Sequence, residues 1–105
     1  MALTKQTYDG VIEAVHYHPN GEVAWVRAYL RRGAAFSDLV LLDRPSLVKA
    51  LKAGKRFVIG ERVPYLAGTF NVHGEVRLLA ANGREALVSG DAHGGADYLP
   101  GAPLV

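Results

Sequence analysis

Residue types able to do binding chemistry crowd into one short stretch of this chain. His16 and His18 stand two apart, and beyond Pro19-Asn20-Gly21 follow Trp25, Arg27, Tyr29, Arg31 and Arg32. Residues at i, i+2 and i+4 of a strand share one face, so Trp25, Arg27, Tyr29 and Arg31 form an aromatic and basic stripe. Bases stack on such rings for about 1–3 kcal/mol each while guanidinium groups meet phosphate. The stripe therefore points to single-stranded nucleic acid, DNA or RNA. Arg32 adds a backbone contact, and His16, His18 and, from a later loop, Tyr65 flank the platform. The same stripe also suits a subunit interface in a homo-oligomer, because a large exposed apolar patch seldom goes unused.

A second chemistry competes for the two histidines. On a strand, His16 and His18 face the same side, and a glutamate across a hairpin is able to complete a divalent-metal site. Gly10, five residues, His16-Tyr17-His18, three residues and then Glu22 resemble the first metal motif of the cupins. That resemblance implies a metal-dependent small-ligand protein using His16 and His18. It covers only the run from Gly10 to Glu22. Tyr29 stands where the motif's later glycine is expected, and only His73 and His93 are available, by type, for the second motif.

Catalytic sets are hard to find. With no cysteine, thiolate metal sites, disulfides and cysteine nucleophiles are all excluded. No Ser-His-Asp arrangement and no glycine-rich phosphate loop can be read. His73, Glu75 and Arg77 alternate as any solvent-facing strand does. The reading is a non-enzymatic binding module with no cofactor and no metal.

These residues need a scaffold, and 105 residues suffice for one domain. Net charge is +2 but uneven: residues 27–56 carry eight basic against two acidic side chains, and the rest carries four against eight. Such a segment can attract a polyanion. No stretch approaches the ~20 apolar residues of a membrane helix and no signal peptide is evident, so a cytoplasmic, membrane-free protein is expected.

Two β-rich runs, Asp9 to His18 and Glu22 to Arg32, flank Asn20-Gly21, a strong hairpin signal. A two-residue turn there pairs His18 with Val23, His16 with Trp25, Ala14 with Arg27 and Ile12 with Tyr29. The opposite face, with Val11, Val15, Tyr17, Val26, Ala28 and Leu30 interrupted by Glu13, becomes the core side. A third strand, Phe36 to Leu42, is expected to be well buried. A helix follows, capped by Asp43, with Pro45 in its first turn and Gly54 at its end. Further strands run Arg56 to Val63, Phe70 to Ala80 and, after Asn82-Gly83, Arg84 to Ser89. Of the fifth, Phe70, Val72, Val76 and Leu78 are expected on one face. Three strands, one helix and two or three strands predict a mainly β fold, a small closed antiparallel barrel of five to six strands with the layout of an OB-fold. Residues 1–89 form this domain, and residues 90–105 an extended or mobile Gly/Pro-containing tail with little to bury.

Overall fold

The computed structural model describes residues 8–33, 35–63, 70–81, 84–90 and 97–105. The chain order is β1 (Gly10–Tyr17), β2 (Val23–Arg32), β3 (Ala35–Phe36), β4 (Val40–Asp43), α1 (Arg44–Lys52), β5 (Phe57–Arg62), β6 (Phe70–Ala81) and β7 (Arg84–Ser89). Strands are hydrogen-bonded in the order β3-β2-β1-β5-β6-β7, with β4 also on β2. Every pairing is antiparallel except β1 with β5, which runs parallel from Gly10↔Phe57 to Ile12↔Ile59. The mainly β architecture with one helix is as expected, but the sheet curls into a half-barrel that stays open. β1 leaves β5 after Ile12, and from Val15 it pairs instead with Leu104 in the C-terminal segment. The Asn82-Gly83 turn, the Pro64 to Gly68 loop and residues 91–96 lie outside the described residues. Among the described residues, no helix is long and apolar enough to cross a membrane.

The hairpin turn differs from the expected two-residue form. Gly21 N–H donates to the His18 carbonyl at 2.9 Å, and His18 N–H donates to Glu22 at 2.8 Å. A two-residue Asn20-Gly21 turn would make Pro19 a hydrogen-bonding partner of Glu22, yet proline has no N–H. Pro19 instead occupies the second position of a four-residue turn, which it favours. Gly21, at φ +93°, closes a three-residue loop. Register near the turn is thus Tyr17↔Val23, and a shift between His16 and Tyr17 restores the expected His16↔Trp25 and Ala14↔Arg27.

A second shift lies between Ile12 and Ala14, where Glu13 has no opposite residue and Ile12 pairs with Ala28, Val11 with Tyr29. This bulge has a clear cause. Strict alternation would put the Glu13 carboxylate into the core, at a large desolvation cost. One extra residue reverses the parity of the preceding strand. Ile12, Val15, Val26 and Ala28 then join the main core, whereas Val11 and Tyr29 join a second cluster with Tyr8, Val58 and Phe70. A similar shift between Ile59 and Gly60 separates Phe70 of the second cluster from Val76 of the main core. Val72, expected to point inward with both, is 47% exposed.

The helix matches its sequence signals. Asp43 accepts from Ser46 N–H at 2.9 Å and Pro45 lies in the first turn. Leu47 and Val48 are buried against the sheet, with Leu51 partly so. The apolar run before it is less buried than expected, because β4 is a short strand with one face outward: Leu41 is 64% exposed while Leu42 packs on the core.

Residues 97–105 bury more than a tail expected to have little to bury. Leu99 is 1% exposed within the main core, and its N–H donates to the Tyr17 hydroxyl at 3.0 Å. The Asp97 side chain, 2% exposed, meets Arg44 at 2.8 Å. It also accepts from the backbone N–H groups of Val23 at 2.8 Å and Leu87 at 2.9 Å. Burial alone would raise the Asp97 carboxyl, but Arg44 and the two amides outweigh it and hold the group below the ordinary carboxylate range.

Two outcomes test this frame. Gly21→Val should lower stability by about 1–2 kcal/mol, since a β-branched residue is strained at positive φ; equal urea midpoints for the two proteins would contradict the turn. Asp97→Ala should cost about 3–5 kcal/mol, because it strands Arg44 and two amides. The lowered carboxyl pKa means that the Asp97 contribution is complete above about pH 4 and fades as pH falls through the folded value. Wild type should therefore lose more stability between pH 5 and pH 2 than Asp97→Asn, as thermal melts at each pH would record.

Candidate binding face

Cross-strand neighbours share a sheet face. On the outer side of β1, β2 and β4 this places two rows: His16, Trp25 and Asp43 in one, Ala14, Arg27 and Leu41 in the next. The His16 ring stacks on the Trp25 indole with centroids 4.9 Å apart and planes 16° apart. The Arg27 guanidinium lies 5.8 Å from the indole centroid and is exposed. His16 Nδ1 is 2.7 Å from the main-chain oxygen of Val105. That oxygen accepts, so Nδ1 carries the proton and donates. The imidazole is thus fixed in orientation, and through it the indole.

The predicted stripe is divided along its length. Tyr29 is 8% exposed. Its hydroxyl donates to Glu13 at 3.1 Å, the Arg62 guanidinium covers its ring at 4.3 Å, and Phe70 packs beside it at 5.2 Å. Burial and then the neighbouring Glu13 carboxylate push the phenol above its ordinary range. Arg31 is also occupied: its Nε donates to the Tyr8 carbonyl at 2.8 Å and its guanidinium lies 4.8 Å from the Phe36 ring. Tyr29 and Arg31 thus belong to a packed aromatic cluster, and among the described residues no open stacking surface remains around them. His18 and Arg32 are exposed at opposite ends of the hairpin, too far along the strands to act together. Tyr65 lies outside the described residues.

The cupin-like set does not converge. His16 is committed to Trp25 and Val105, while His18 and Glu22 are exposed beside the turn. Among the described residues, no three His, Asp or Glu side chains gather in a way that would hold a metal ion; His93 is outside them. On β6, His73 Nε2 pairs with Glu61 at 2.5 Å and Asn71 donates to the same carboxylate at 3.3 Å. That hydrogen bond from His73 holds the Glu61 carboxyl below its ordinary range. Glu75 pairs with Arg56 at 2.9 Å and Arg77 donates to the Gly90 carbonyl at 2.8 Å. The His73, Glu75, Arg77 row is therefore spent on three separate contacts.

Folding also disperses the basic segment. Arg44, Lys52 and Arg56 meet Asp97, Glu85 and Glu75, all from beyond residue 56. The residues missed by sequence reasoning are Leu41 and Arg62. A continuous run Leu39-Val40-Leu41-Leu42 reads as buried, and only its pairing with β2 shows that Leu41 lies beside Arg27 on the outer face. No signal in the chain joins Arg62 to Tyr29.

No family model, no curated protein and no solved structure matches this chain.

The division of the face has a measurable consequence. Tyr29→Ala should cost about 3–5 kcal/mol, as removal of a buried aromatic does. Arg27→Ala, on the open half, should stay within about 0.5 kcal/mol of wild type. Equal effects in urea unfolding would mean that the two halves are not distinct.

Proposed function

We propose that this protein is a non-enzymatic assembly module that pairs with a second copy of its own chain through β4 and the open half of the outer face. The observation that carries this reading is Leu41, 64% exposed on β4, which among the described residues is an edge strand, and in the same row as Arg27, beside Trp25. Edge strands offer unpaired backbone N–H and C=O groups, and antiparallel pairing of β4 with its own copy is two-fold symmetric. Such an interface is self-complementary. With Leu41 opposite Leu41 of the second copy, the exposed leucines cover each other and the Trp25 and Arg27 side chains flank them.

Magnitudes rank this above nucleic-acid binding at the same face. One aromatic stack is worth about 1–3 kcal/mol, and even millimolar affinity requires about 4.1 kcal/mol. With Tyr29 and Arg31 packed away and three of the basic groups paired, one stack and Arg27 reach that level only barely. The second reading is kept for one observation, the His16–Trp25 stack beside an exposed arginine.

Sedimentation equilibrium over a wide concentration range tests the assembly. Wild type should rise from one to two chain masses, and Leu41→Glu should remain at one with unchanged circular dichroism. A constant single mass for wild type into the high micromolar range would refute it. Titration of a fluorescent oligothymidylate near 50 mM salt supplies the other arm. Binding that survives Leu41→Glu and is lost in Trp25→Ala would put the nucleic-acid reading in its place.

A further inference from the structure

Away from the outer face, a half-open cleft of about 220 Å³ lies beside the C-terminal end of α1. Leu30, Leu42, Ala50 and Phe57 form its apolar lining, and Asp9, Arg31 and Lys55 are its charged residues. A dry cavity of about 150 Å³ lined by apolar side chains holds benzene. The cleft therefore has room for one ring with a small substituent. We propose that it is a binding site for a small carboxylate with an apolar body, a monoanion of the size of benzoate, whose ring lies among Leu30, Leu42, Ala50 and Phe57 and whose carboxylate meets Lys55. Leu42 of β4 lines this site from the core side, opposite Leu41 of the assembly face, and the proposal goes beyond that reading.

Charge at the cleft favours an anion. Asp9 already accepts from the Arg56 amide at 2.9 Å, and Arg31 already donates to the Tyr8 carbonyl. The Lys55 side chain is exposed and, among the described residues, has no ion-pair partner. With Asp9 and Arg31 already engaged, Lys55 is the charged side chain at the cleft left to meet a ligand beside the apolar walls, the arrangement in which pockets pair a hydrophobic lining with a few polar groups that orient the ligand.

Helix termination makes the site possible. A helix C-terminus normally repels anions through its free carbonyls. Here Gly54 N–H donates to Leu51 at 3.1 Å and Lys55 N–H to Ala50 at 3.0 Å, with Gly54 at φ +92°. This is the paired-bond cap in which glycine takes the left-handed conformation. It satisfies the carbonyls nearest the cleft, and the same reversal of the chain brings Lys55 back over Ala50.

Calorimetry and NMR titration with sodium benzoate test the proposal, with benzyl alcohol as a neutral probe of similar shape. Leu41→Glu can serve as the background for both, so that self-association and its failure stay separate from this result. Saturable one-to-one benzoate binding is expected, about tenfold or more tighter than benzyl alcohol, the difference a charge-assisted contact makes. Lys55→Gln should reduce benzoate to the level of the alcohol without altering the fold. Ala50→Leu should fill the cleft and abolish binding of both while the melting temperature holds or rises. Absence of saturable benzoate binding, equal affinity for both probes, or unchanged binding in Ala50→Leu would each overturn the proposal.

Discussion

A buried carboxylate organises this fold. Asp97 accepts from the guanidinium of Arg44, which is the first residue of α1, and from backbone amides at the start of β2 and within β7. Arg44 in turn donates to the Glu85 carbonyl at 2.7 Å. Three distant parts of the chain thus meet at one side chain. Removing a charge from water is costly unless it is well paired, and here the pairing is possible only when helix, hairpin, β7 and the C-terminal segment are all in place. The contact is therefore cooperative by construction. Next to it, the Ser89 hydroxyl donates to the Pro100 carbonyl at 3.1 Å and Leu99 enters the core.

That anchorage explains why the sheet does not close. The C-terminal segment follows β7 at Tyr98 and reaches β1 at Val15. Val15 N–H donates to Pro103 and Val105 N–H to Val15. The hydrogen-bonding groups on that part of β1 are thus satisfied by the segment, while β5 reaches only as far as Ile12. A half-barrel with a bridging segment meets the backbone requirements that closure would otherwise meet.

Irregularities in the strands decide what surface remains for binding. The bulge at Glu13 leaves Trp25, Arg27 and Tyr29 on one face of β2 but brings Val11 of β1 onto that face beside Tyr29. Val11 and Tyr29 thus join the second cluster, where Arg31 and Arg62 lie over the rings of Phe36 and Tyr29. Arginine over an aromatic face is a favourable contact in its own right. The same residue pair that reads as a phosphate and base platform is therefore a structural unit when both partners belong to one chain. What stays open is the turn-proximal half, with Trp25, Arg27 and Leu41.

Local signals in the sequence determined the elements: the helix from Asp43 to Gly54, the hairpin around Pro19-Asn20-Gly21 and the strand character of β5 to β7. Each depends on neighbours within a few residues, where capping, turn chemistry and alternation act. Tertiary structure alone decided the rest. The parallel pairing of β1 with β5, the exposure of Leu41 on β4 and the burial of Tyr29 follow from partners tens of residues away, and a one-residue shift in register changes which side a residue faces. The basic run of residues 27–56 was legible as composition, yet Glu75, Glu85 and Asp97 neutralise part of it only after folding. Asp97 itself carries no local mark. Its role arises because a carboxylate buried among an arginine and two free amides is stable only where the folded chain brings all three together.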